Sequence, residues 1–245
     1  MRQLTKIITV FFVTIMLSIG TLVSAIAENT LNREQVNSMI REFLLENPEI
    51  LIEMQQVLEN RRQEELAENQ RKTLAERKDE IIGSPFQIEF GNPDAKTTIV
   101  EFFDYNCGFC QRAISDMQQI LNDNDDVRFV LRDYPVLGEG SFEASRVGLA
   151  ISKIAPEKLQ KFHLDLLSLE GVKNGERALE LAESMGIDRE KILAEMENPE
   201  IFEEIRHVYE LADGLGITGT PSYIAGDQVI FGAVGHEQLQ AAISQ

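Results

Sequence analysis

Residues 96–123, "KTTIVEFFDYNCGFCQRAISDMQQILND", set a β-rich, apolar run against a helical pattern, with Cys107 and Cys110 at the seam. The first part reads as a buried central strand, because β-branched and aromatic residues follow one another. After the cysteines, Ile114, Met117 and Ile120 or Leu121 recur at helical spacing, and "VRFVLRDYPV" reads as a second strand ending at Pro135. Strand, helix and strand make a β-α-β unit, and the cysteines open its crossover helix.

These are the only two cysteines of the chain, and three chemistries compete for them. Structural zinc wants four ligands, and one pair supplies two. The three histidines, His163, His207 and His236, are scattered and lack partner spacing. A soft ion such as Cu(I) could still sit between two thiolates, so copper handling stays open. A structural disulfide closing so short a loop removes little unfolded-chain entropy and is a poor staple. Redox exchange fits the location best. Free amides and the positive end of the helix dipole favour a thiolate at Cys107. Cys110, three residues on, lies on the same face about 5–6 Å away, close enough to resolve a mixed disulfide. Cys107 is therefore the expected nucleophile and Cys110 the resolving thiol, a redox-active pair needing no cofactor. Gly108 and Phe109 between them carry no charge, and no histidine adds a donor there. The disulfide is expected to be oxidising, though less so than that of a CPHC site.

The chain opens with Arg2 and Lys6, a 17-residue apolar stretch, and "SAIA" with small residues at Ala25 and Ala27. That is the pattern of a cleaved signal peptide over residues 1–27, with an uncleaved anchor as the alternative. An exported chain meets an oxidising compartment. Of 23 basic residues two precede residue 28, which leaves 21 against 41 acidic ones, about −20 for the mature chain. Such a balance argues against nucleic acid or an anionic membrane surface as partner.

Residues 28–82 read as a helical appendage. Val36, Met39, Ile40, Phe43 and Leu44 share one helical face, with Asn32 and Gln35 as a start signal. Pro48 is expected in the first turn of a second helix, whose stripe continues through Ile50, Leu51, Met54, Val57 and Leu58. Beyond Leu58 the run to Lys78 is nearly all polar and has no Gly or Pro. As a helix, residues 49–78 would extend roughly 45 Å. Two readings stand: helices packed on the main domain or serving as a solvated connector, and a stalk whose apolar face meets copies of itself. Residues 83–245 form the body. "FQIEF" is a short strand, residues 141–214 a mostly helical insertion, "PSYIAGDQVIFGAVG" two strands about Ala225-Gly226-Asp227, and "HEQLQAAIS" a last helix. The fold class is α/β, a sandwich with a helical insertion preceded by a helical stalk.

"VEFFDYNCGFC" together with "GITGTPSYIAGDQVIFGAVG" resembles the DsbA-like thiol–disulfide oxidoreductases, thioredoxin folds with a helical insertion, over residues 90–245. The resemblance implies a cis-proline loop at Thr220 and Pro221 that presents backbone to an extended client peptide. It also implies a proton-shuttling role for Glu101, a buried carboxylate beneath the site. A solvent-facing Glu101 is the competing reading. Tyr105, Phe109 and Tyr223 are assigned either to an apolar rim for client binding or to core packing. "IREFLLENPEILIEMQQVLENRR" is similar to the N-terminal region of the ScsC (suppressor of copper sensitivity C) subgroup. That implies a homo-oligomer, a trimer among the forms, with an isomerase role. The partners implied are cysteine-bearing client proteins and a membrane redox protein of the DsbD/ScsB or DsbB type, and the location periplasmic. The appendage and the CGFC dipeptide set the chain apart from a simple monomeric oxidase.

Overall fold

The computed structural model describes residues 31–244, so the signal-peptide reading lies outside the described residues. These fall into two units, one ending at Asn60 and one beginning at Arg61.

In the first unit, α1 (Arg33–Glu46) starts on the expected capping box. The Asn32 side chain accepts from the Gln35 amide, and the Gln35 side chain accepts from that of Asn32. No residue of α1 is buried. Pro48 stands two residues before α2 (Ile50–Glu76), outside its first turn. The helix runs unbroken, as a Gly- and Pro-free stretch allows. Met39, Ile40, Phe43, Leu51, Met54 and Leu58 are all exposed.

The expected appendage, residues 28–82, spans the division after Asn60. The last turns of the polar run pack on the body, as the packed-helix reading expects. Gln70 Nε2 donates to Leu215 O at 2.8 Å, and Thr73 Oγ1 donates to Gly214 O at 3.1 Å. Gly216, with φ +67°, lets Leu66 approach so closely that a Cβ there would fall 2.3 Å from Leu66 Cδ1. The short α3 (Lys78–Ile82) buries Ile81.

The body is a five-stranded sheet of order β1-β3-β2-β4-β5. Its strands are β1 (Ile88–Gly91), β2 (Thr97–Phe103), β3 (Val127–Asp133), β4 (Ser222–Ala225) and β5 (Gln228–Phe231). β2 and β3 are parallel and the other pairs antiparallel. β2 lies in the middle, and its last five residues are buried, as its continuous apolar run requires. The crossover α4 (Gly108–Asp123) buries Cys110, Ala113, Met117 and Ile120. The insertion supplies α5 (Glu139–Ile154), α6 (Pro156–Ser168), α7 (Gly175–Ser184), α8 (Arg189–Met196) and α9 (Pro199–Gly214), and α10 (His236–Ile243) closes the chain.

Side chains alternate across β2, so the sheet separates two cores. On one face Ile99 and Phe103 join Met117 of α4, Val147 of α5, Phe162 of α6 and Leu239 of α10. On the other, Val100 and Phe102 meet Val208 and Leu211 of α9 with Ile81 of α3. Arg132 of β3, 1% exposed, crosses this second core. It donates to the carbonyls of Glu80 and Ile81 at 2.6 and 3.0 Å and to Glu204 of α9 at 2.8 Å. Ser84 donates to the same Glu204 oxygen. One buried guanidinium thus holds the end of α3 and the following loop onto sheet and helix.

Candidate active site

Cys107 is the N-cap residue of α4, extended at φ −80° and ψ 110°, with its own amide on Asp104 O at 3.0 Å. The turn from β2 into α4 therefore delivers the sulfur to the helix end, where amides lack intrahelical partners. From the loop before β4, the Thr220 carbonyl accepts from Cys107 Sγ at 3.2 Å, and the Thr220–Pro221 bond is cis. Two motifs more than a hundred residues apart in the chain meet at one sulfur.

Cys107 is held down from 9.0 to about 5. The hydrogen bond from the Cys110 thiol contributes most, burial opposes it, and Thr220 and the amides of Cys110 and Phe109 add to the lowering. The carbonyl of Thr220 can serve only the protonated thiol, so ionisation exchanges that acceptor for the donors around it. Cys110, 1% exposed, shifts the other way, well above the ordinary thiol range. Burial is the main cause, followed by its bond to Cys107 and the charge of Glu101. The two thiols are unjoined, and their environments set one as thiolate and one as thiol.

Glu101 lies in the middle of β2, paired with Leu131 and Tyr223, and is buried. Burial raises it from 4.5 to about 8, with the charges of Cys107 and Asp116 adding. The solvent-facing reading of Glu101 does not hold. For the reduced protein, Cys107, depressed in the fold, contributes stability fully above 9.0 and loses it as pH falls through about 5. Glu101, raised in the fold, contributes fully below 4.5 and loses it as pH rises through about 8. Thiolate absorbance of the reduced protein should accordingly show one group titrating near pH 5. A value near 8.5, that of an unperturbed thiol, would show that the cradle does not act on the sulfur.

A polar frame that sequence reasoning missed fixes this turn. Asp104, fully buried, accepts from the amides of Asn106 and Leu137 at 2.7 and 2.9 Å and from Ser141 Oγ at 2.7 Å. Asn106 donates to Ser141 Oγ and to Lys173 O and accepts from the Lys173 amide. The residues just before the nucleophile are thereby bolted to the insertion. Asp104 and Asn106, polar residues closing an apolar strand, were the visible signal.

The aromatic assignments divide. Phe109 is 56% exposed beside the cysteines, with the Arg112 guanidinium 4.2 Å from its ring centre. Tyr223 is 1% exposed and Tyr105 fully buried, so neither lines a rim, which corrects that half of the assignment. β4 is covered on both faces, and Tyr105 packs edge-on against Phe103 at 5.0 Å. Leu137 and Val172 are exposed beside a cavity of about 430 Å³ that Asn106 also lines.

Residues 98–244 match the DSBA-like thioredoxin domain. The chain belongs to the DSBA-like thioredoxin family. Residues 33–65 also match the N-terminal domain of the copper resistance protein ScsC. Among solved structures, a thioredoxin-like oxidoreductase from Silicibacter pomeroyi is 38% identical, with a TM-score of 0.64 over 68% of this chain and 95% of that one. Proteus mirabilis ScsC, as a linker-deletion and N6K mutant, is 26% identical, with a TM-score of 0.66 over 89% of this chain and 97% of that one. The Bacillus subtilis disulfide bond formation protein D is 26% identical over 180 residues, 68% of this chain and 81% of that protein. The chain also matches the sodium/proton antiporter NhaA of Herminiimonas arsenicoxydans at 23% identity, spanning only 24% of that protein's length. The matched span contains the cysteine pair, the helical insertion and the cis Thr220–Pro221 bond. Among the described residues no helix is long and apolar enough to cross a membrane.

Proposed function

We propose that this protein is an exported, periplasmic thiol–disulfide oxidoreductase that acts on protein disulfides as an oligomer, working mainly as an isomerase or reductase. The observation that carries the reading is Cys107 at the N-terminal cap of α4, 3.2 Å from the Thr220 carbonyl of the cis-proline loop, with Cys110 buried one turn on. The thiolate attacks one sulfur of a client disulfide, the client S–S bond breaks, and the departing client sulfur takes a proton. A mixed disulfide to Cys107 remains. In reduction, the Cys110 thiol passes its proton to the Glu101 carboxylate and attacks Cys107 Sγ. The client leaves with two thiols and the Cys107–Cys110 disulfide forms. A membrane redox protein of the DsbD/ScsB type then returns two electrons. In isomerisation a second client thiol attacks its own sulfur in the mixed disulfide, and Cys107 departs as thiolate with no net electron flow. The backbone at Thr220 and the exposed Phe109, Leu137 and Val172 offer an edge and apolar contacts to an extended client segment.

Self-association rests on the first unit. Its apolar stripe, from Met39 to Leu58, is exposed in the single chain, and a stripe of that kind is buried by copies of itself. Light scattering of the mature chain, with and without residues 28–60, tests this. An oligomer is expected for the first, a trimer being the form the ScsC likeness favours, and a monomer for the second, with isomerase turnover falling and simple dithiol oxidation retained. Equal masses would sink the oligomeric reading.

The second reading is a dithiol oxidase served by a DsbB-type partner. It is favoured by the depressed Cys107, since a stabilised thiolate favours the reduced state and makes the disulfide a better oxidant. An isomerase-silent, oxidase-active oligomer would select it.

A further inference from the structure

We infer that the body carries a second binding site, at the end of the sheet away from the cysteines, for a small amphiphile with an anionic head. The sheet face bearing Val100 and Phe102 is filled by α9 near the active-site end of β2. Toward the start of β2 the cover stops, leaving a cavity of about 780 Å³. Its floor is Thr98 and Val100 of β2 with Ile224 of β4, and its wall is Leu74 of α2 with Ile81 and Ile82 of α3. That size lies within the range of about 300–1,000 Å³ typical of small-molecule pockets.

The charge around this cavity runs against the rest of the chain. The sequence has 23 basic and 41 acidic residues, yet Arg71, Lys78, Lys96 and Arg128 all line the cavity with Asp227 as the one acid. Arg71 pairs with Glu68 at 2.9 Å. Arg128 donates to Thr98 Oγ1 at 3.0 Å and lies 3.6 Å from Glu89. Lys78 and Lys96 are exposed and form no ion pair with a described residue. Two uncommitted ammonium groups, one on α3 and one at the approach to β2, stand over apolar walls. A small hydrophilic anion would leave those walls wet, and a neutral hydrocarbon would leave the lysines without a counterion. A carboxylate or phosphate monoester on an aliphatic body satisfies both.

Calorimetric titration of the mature full-length chain with dodecanoate, below its micelle concentration, tests the site. Dodecyl phosphate is the second anionic probe. Dodecyltrimethylammonium keeps the tail and reverses the head, and acetate keeps the head without the tail. Saturable binding at one per chain is expected for the two anionic amphiphiles, about tenfold or more tighter than for either control. The K78E/K96E double variant is expected to weaken dodecanoate by about tenfold or more while keeping its disulfide-exchange rate. K78Q/K96Q serves the same purpose should the charge reversal impair folding. Equal binding of the oppositely charged amphiphile, undiminished affinity in both double variants, or no saturable binding would each overturn the inference.

Discussion

Replacing Cys107 by Ser is expected to remove thiol–disulfide exchange to the floor of any assay, a loss on the order of 10⁴-fold or more. The serine hydroxyl stays protonated in a cradle that ionises the thiol to about 5, and no other described side chain can supply a sulfur nucleophile, since Cys110 is buried and held as a thiol. The fold should persist, because the substitution changes one buried atom at a helix cap. Cys110→Ser is expected to fail differently. Attack on a client proceeds, but nothing resolves it, so a covalent adduct through Cys107 accumulates and is visible on non-reducing gels. Turnover of a scrambled disulfide substrate is the measurement. Activity retained by Cys107→Ser would falsify the assignment, and absence of the adduct from Cys110→Ser would place resolution elsewhere.

Arg132→Ala should be the most destabilising polar substitution in the body, by about 3–5 kcal/mol. The guanidinium is 1% exposed and serves two backbone carbonyls as well as Glu204. Removing it leaves Glu204 with the Ser84 hydroxyl alone and takes the side-chain donor from the Glu80 and Ile81 carbonyls at the end of α3. The urea midpoint reports the loss, and the double variant R132L/E204L should recover a good part of it, because an apolar pair leaves no orphaned charge. A single-variant change under about 1 kcal/mol would mean that water reaches these groups and that the clamp is ornamental. Since the hydrogen bonds of Arg132 go to Glu80, Ile81 and Glu204 and not to Cys107 or Cys110, exchange by the folded fraction should be little altered.

The strand, the cysteine pair and the crossover helix were legible because each is a local pattern. Seven residues of β2 and the spacing of Cys110, Ala113 and Met117 carry their own periodicity. Glu101 was legible as a buried carboxylate through the family resemblance, while strand alternation alone left a solvent-facing reading open. Alternation distinguishes faces, and β2 has no wet face for the pattern to reveal. Tyr223 failed for the same reason, since all of β4 is buried. The frame of Asp104, Asn106, Ser141 and Lys173 joins positions up to 67 apart in sequence, and no local period records such a closure. The packing of the last turns of α2 was not legible, because Gln70 and Thr73 look solvated until the backbone at Gly214 and Leu215 is brought to them.

The unequal ionisation of the two thiols fixes how many protons accompany the electron pair. Above about pH 5 the reduced site holds Cys107 as thiolate and Cys110 as thiol, so two electrons arrive with one proton. The midpoint potential then falls by about 30 mV per pH unit, and by about twice that in more acid solution, where both sulfurs are protonated. Glu101, raised partly by the Cys107 charge, takes up a fraction of a second proton when that charge appears, steepening the fall around pH 8. The driving force available to a client thus varies gently with acidity across the neutral range and sharply at its edges.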